Sequence, residues 1–80
     1  MHEIGIAKGI LKKVIAEAQS HQAKKILKIK VKAGHLEMLT REHLQHSFSF
    51  LSKGSVAEEA VIELEEFPGP GMSIEAIEME

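Results

Sequence analysis

Apolar residues recur at Ala7, Ile10, Leu11, Val14, Ile15 and Ala18 behind Ile4. This is the i, i+3, i+4, i+7 spacing of one helix face, and Lys8, Lys12, Lys13 and Glu17 fall mostly elsewhere. The pattern predicts a first helix over 4–18. Gly5 and Gly9 lie on one side of it and oppose it, each costing up to about 1 kcal/mol relative to alanine. They mark either a close packing partner or a solvated pair in a tolerant first turn.

After the turn "QSHQA" the period changes from 3.6 to 2. In "KKILKIKVK", Leu27, Ile29 and Val31 are predicted to point one way and Lys28, Lys30 and Lys32 the other, as in a half-buried strand. "AVIELEEF", beginning near Ala60, repeats the alternation with Glu63 and Glu65 against Ile62 and Leu64. Paired in one sheet, the lysines and glutamates would meet across strands and form a solvated charged face.

Between these strands Thr40 is placed to cap a helix over "REHLQHSFSFLSK", ended by Lys53 and Gly54. Leu44, Ser47, Phe48 and Leu51 share its inner face, and Phe50 is expected to broaden that face toward the core. "SVAEEA", with Ser55 and Glu58 at capping-box spacing, predicts a further helical turn. "FPGPGM" is a dense breaker cluster, and "MSIEAIEME" reads as a last strand whose alternation slips around Ala76 and Ile77, the mark of a bulge.

The expected fold is α/β of the α+β two-layer kind: a small mixed three-stranded sheet with two helices on one face, in the order helix, strand, helix, strand, strand. The connecting helix permits a parallel crossover between the first two strands, and the short Pro-Gly-Pro-Gly link predicts an antiparallel hairpin of the last two.

Eighty residues, 44% apolar and 28% charged with a net charge of −2, leave room for one globular domain over 1–80. So small a chain buries only about 60% of its unfolded surface, which makes a homodimer an expectation. No cysteine is present, so neither a disulfide nor a thiolate metal site can form. The first twenty residues lack a signal-peptide pattern and no apolar run reaches the roughly 18 residues of a membrane span, so the expected address is cytoplasmic, without membrane association. Balanced charge without tryptophan or tyrosine argues against nucleic acid.

Catalytic scaffolds are missing: there is no GxSxG, no aspartate to orient a histidine, and "FPGPG" lacks the N–H donors of a phosphate loop. The chain is not expected to be an enzyme. Five histidines are its unusual feature. His21, His35, His43 and His46 read as surface residues, His43 and His46 lying three apart on a helix. His2 differs because the α-amine of Met1, the backbone nitrogen of His2 and its imidazole can close two fused chelate rings around one ion. Glu3 adds a backbone nitrogen and a carboxylate. Planar nitrogen donors of this sort suit Ni(II) or Cu(II) better than Zn(II).

The opening "MHEIGIAKGIL", followed by "KILKIKVKAGHLEMLTREHLQHSFSFLSKGSVAEEAVIELEEFP" and the closing "SIEAIEME", resembles the HypA/HybF family of nickel-insertion proteins of [NiFe]-hydrogenase maturation. The resemblance implies a nickel-binding metallochaperone with Met1, His2 and Glu3 at the metal. It also implies partners in a HypB-like GTPase and the hydrogenase maturation machinery. Family members normally carry a four-cysteine zinc module between the second and last strands, and this chain has only "GPG" between residues 68 and 72. No zinc is therefore expected, whether the chain is a natural zinc-free relative or a deletion of the module. The competing reading is a metal-free interaction or adaptor module that acts through dimerisation or partner binding.

Overall fold

The structure, a computed structural model, describes residues 2–80, with side chains from Glu3 onward. Two α-helices, α1 (His2–Ser20) and α2 (Arg41–Leu51), lie on one face of a sheet made of β1 (Ile26–Gly34), β2 (Val61–Phe67) and β3 (Met72–Met79). A short 3₁₀ turn, His35–Glu37, joins β1 to α2. The two-layer fold and its element order agree with the sequence pattern.

Periodicity explains each element. Ala7, Ile10, Val14 and Ala18 are the buried stripe of α1; Leu44 and Phe48 are that of α2. They pack on Ile26, Ile29, Val31 and Ile62 of the sheet in one apolar cluster. Thr40 caps α2 as expected, its hydroxyl accepting from the His43 N–H at 3.2 Å. The predicted turn over "SVAEEA" closes without becoming helical: the Ala57 N–H donates to the Ser55 hydroxyl, and the Gly54 N–H to the Glu58 carboxylate.

The sheet order is β2-β1-β3, with β1 parallel to β2 and antiparallel to β3. The expected hairpin is therefore corrected: β2 and β3 are not neighbours, and the link between them arches over the end of β1. A tight hairpin turn needs positive φ at its first central residue, which proline forbids. Four residues reach across the two strand spacings, about 9.5 Å, that separate the outer strands. The link passes close over Gly34, whose N–H donates to the Gly71 carbonyl at 2.8 Å. A β-carbon at 34 would stand 1.9 Å from the Gly69 carbonyl oxygen.

Three further expectations are corrected. Ile26, not Leu27, opens the core face of β1, because the register against β3 shifts between Ile26 and Lys28 and carries the alternation across. Phe50 is 69% exposed, since the buried arc of α2 is centred on Leu44 and Phe48 and position 50 falls outside it. Ile4 is 41% exposed, one turn out from Ala7, and Ile6 packs against the core instead. The bulge in β3 is present: Lys30 pairs with Ala76 and Val31 with Ile74, leaving Glu75 as the extra residue.

The lysine row of β1 meets glutamates of β2, Lys28 with Glu63 at 3.3 Å and Lys30 with Glu65 at 4.0 Å. That accounts for the charge stripe as a solvated sheet face. Among the described residues, no helix is long and apolar enough to cross a membrane.

Candidate metal centre

Helix α1 runs alongside β3 in the same direction, Ile6 and Ile10 lining a crevice with Met72–Ile74, and Ala16 and His21 lining a groove with Ile77 and Met79. Because Met72 pairs with Ala33, the start of α1 lies at the end of the sheet where β1 stops. Hydrogen bonds tie this end together. The Leu36 N–H donates to the Gly69 carbonyl at 3.1 Å, and the Gly71 N–H donates to the Glu37 carboxylate at 2.7 Å. His35 Nε2 stands 3.4 Å from the Glu66 carboxylate.

Of the predicted ligands, Met1 and the side chain of His2 lie outside the described residues; the backbone of His2 is the first residue of α1 and Glu3 follows it in the first turn, half-buried. A helix start has a chemical property that matters here: its first four amide nitrogens have no intrahelical acceptor. The amides of His2 and Glu3 are among them, so engaging those nitrogens with a metal breaks no helical hydrogen bond.

The other histidines are scattered. His21 Nδ1 is 3.0 Å from its own helix's Glu17 carbonyl, His43 and His46 are exposed on α2, and His35 is paired with Glu66. Among the described residues, no three side chains of histidine, cysteine, aspartate or glutamate converge on one point.

Sequence reasoning missed a surface beside this end. Leu36 and Met38 are 70% and 78% exposed, and Met38 takes a left-handed conformation with φ 56° that turns the chain into α2. The signal available was apolar residues in "HLEMLT", between a strand-ending glycine and a helix cap, where only Leu39 is buried.

A family model described as "Hydrogenase/urease nickel incorporation, metallochaperone, hypA" matches residues 1–73. The hydrogenase maturation factor HypA of Archaeoglobus fulgidus is 39% identical over 64 residues, which are 80% of this chain and 58% of that protein. That of Methanobrevibacter smithii is 35% identical over 68 residues, 85% of this chain and 54% of the relative. The chain thus spans little more than half the length of these curated relatives. The solution structure of the Ni metallochaperone HypA from Helicobacter pylori superposes with a TM-score of 0.79 at 14% identity, covering 96% of each chain, a likeness of fold.

Proposed function

The chain belongs to the HypA family, whose model covers residues 1–73, and we propose from that premise that it is a nickel metallochaperone acting in [NiFe]-hydrogenase maturation. The observation that carries the reading is the family match extending to residue 1, so that the Met-His-Glu opening falls within it. The metal ligands in this reading are the α-amine of Met1, the backbone nitrogen and imidazole of His2, and the backbone nitrogen of Glu3, with the Glu3 carboxylate nearby.

Electrostatics shapes what such a site can hold. A helix N-terminus carries a partial positive charge of about +0.5 and disfavours a bare cation. Amides that lose their protons on binding reverse that balance by placing anionic nitrogens at the same point, and those protons must be released to solvent. Square-planar Ni(II) accepts such donors; tetrahedral Zn(II) does not suit them. The buried residues Ala7 and Ile10 hold the start of α1 on the core, which meets part of the ordering cost before metal arrives.

In this reading residues 1–80 are one nickel-binding domain, the zinc module being absent between residues 68 and 72; with no cysteine, a thiolate zinc site has no ligands. The protein carries metal and catalyses no reaction of its own. It works in the cytoplasm, passing nickel to a HypB-like GTPase and the hydrogenase maturation machinery through the end of the fold that holds the terminus. Calorimetric titration of untagged protein with Ni(II) tests the assignment. His2→Ala should weaken binding at least about tenfold; isotherms unchanged by the substitution would refute the ligand set, and no binding by the wild type would favour the metal-free adaptor.

A further inference from the structure

Four histidine rings are described, and two of them are committed to neighbours. His21 Nδ1 stands 3.0 Å from the Glu17 carbonyl, and His35 Nε2 stands 3.4 Å from the Glu66 carboxylate. The rings of His43 and His46 are exposed and, among the described residues, have neither a hydrogen bond nor an ion pair.

Both belong to "EHLQH" at the start of α2. Leu44 and Phe48 are fully buried and hold this helix on the core, which turns Glu42, His43 and His46 to the solvent side. Residues three apart on a helix have β-carbons about 5 to 6 Å from one another, close enough for two side chains to reach one ion. Helical side chains lean toward the N-terminus, so the His46 ring covers the turn that carries His43. The Thr40 hydroxyl accepts from the His43 N–H at 3.2 Å and fixes that turn, so the backbone of both ligands is set before an ion arrives. Glu42 lies next to His43 and four residues before His46. Its carboxylate offsets the positive end of the helix dipole, which otherwise disfavours a cation at this point.

We propose that His43 and His46 chelate a divalent cation of the borderline class, Zn(II), Cu(II) or Ni(II), for which imidazole nitrogen is a suitable donor. Two protein ligands leave the other positions to water, so the ion is held weakly and exchanges readily. The site does not depend on the terminal one. It offers two rings in place of deprotonated amides, and so accepts a tetrahedral ion that a planar set of amide nitrogens does not suit.

Zn(II) is therefore the probe, added to the full chain up to about 1 mM while the histidine ring signals are followed by NMR. The signals of His43 and His46 should move together, ahead of those of His21 and His35, with one dissociation constant of about 10 to 300 μM. His43→Ala and His46→Ala should each weaken binding at least about tenfold, because the second ring binds intramolecularly once the first is engaged. Zn(II) should raise the urea midpoint of the wild type and of neither variant, since the clamp forms only on the folded helix. Spacing separates chelation from a fold defect or a mere count of rings. Glu42→His with His43→Ala rebuilds the pair four residues apart on the same exposed side and should restore binding. Lys53→His with His43→Ala keeps the ring count but sets the new ring beyond the end of α2, and should restore nothing. One glycine added before Met1 should leave the response unchanged. The proposal is overturned if no signal moves, if the two rings titrate independently, or if each single substitution costs only about twofold. Equal rescue by both rebuilt pairs, or loss of the response on extending the terminus, overturns it too.

Discussion

Gly34 and Gln45 each hold a part of the topology that no local pattern requires. With the Gly69 carbonyl 1.9 Å from where a β-carbon would sit, Gly34→Ala must push the link off the end of β1. The expected loss is about 1 to 3 kcal/mol, read from the urea midpoint. Gln45 bonds the Ile62 N–H, the Ala60 carbonyl and the Ser49 hydroxyl at once. Gln45→Ala should cost about 1 to 2 kcal/mol and expose the β2 edge, seen as faster hydrogen exchange at Ile62. Gly5 and Gly9 are the opposite case. Both are exposed, with nothing within 4 Å of an added β-carbon, so Gly5→Ala and Gly9→Ala should each raise stability by up to about 1 kcal/mol. Their solvated state is one of the two alternatives the sequence left open. Gln45 had no signal in the sequence, because its partners are chosen by packing.

At the scale of elements, the helices, the three strands and the Thr40 cap were legible because a period of 3.6 or 2 is a property of the chain alone. Strand order was not legible. Alternation says that β1 is half-buried, but not that it is central with partners on both sides, and Pro-Gly-Pro-Gly reads as a turn whichever strands it joins. The bulge at Glu75 was visible as a slip, whereas the shift at Leu27 was hidden in an unbroken alternation. Charge on the elements carries its own prediction. Lys25 and Glu59 are 2.6 Å apart; their mutual hydrogen bond and charge hold the carboxyl below the ordinary glutamate range and the ammonium above the ordinary lysine range. The stabilisation from Glu59 is present above the unfolded carboxyl pKa and lost as pH falls through the lowered folded one. That from Lys25 is lost only as pH rises through its raised value. Both groups are solvent-exposed, so the contribution is small and screened. Glu59→Gln should lower the urea midpoint slightly at pH 7 in low salt, and the difference should shrink as pH falls through the lowered carboxyl pKa and in 1 M salt.

The whole molecule is a small scaffold with one unusual end. The two-layer body fixes the start of α1, and no described cluster of side chains there chelates a metal, so the nickel reading rests on the terminus itself. That part was legible only through residue identity, Met-His-Glu in company with the later blocks, since periodicity says nothing about ligands. If amide nitrogens bind in deprotonated form, nickel affinity should fall by at least about tenfold for each pH unit of acidification between pH 8 and 6, measurable by competition with a chromophoric chelator. The central claim is tested most directly by absorbance titration of the untagged chain with Ni(II), beside a variant with one glycine added before Met1. The untagged chain should give a yellow, diamagnetic one-to-one complex with proton release, and the extended chain should lose that spectrum. Identical spectra in both, or no colour in either, would contradict it.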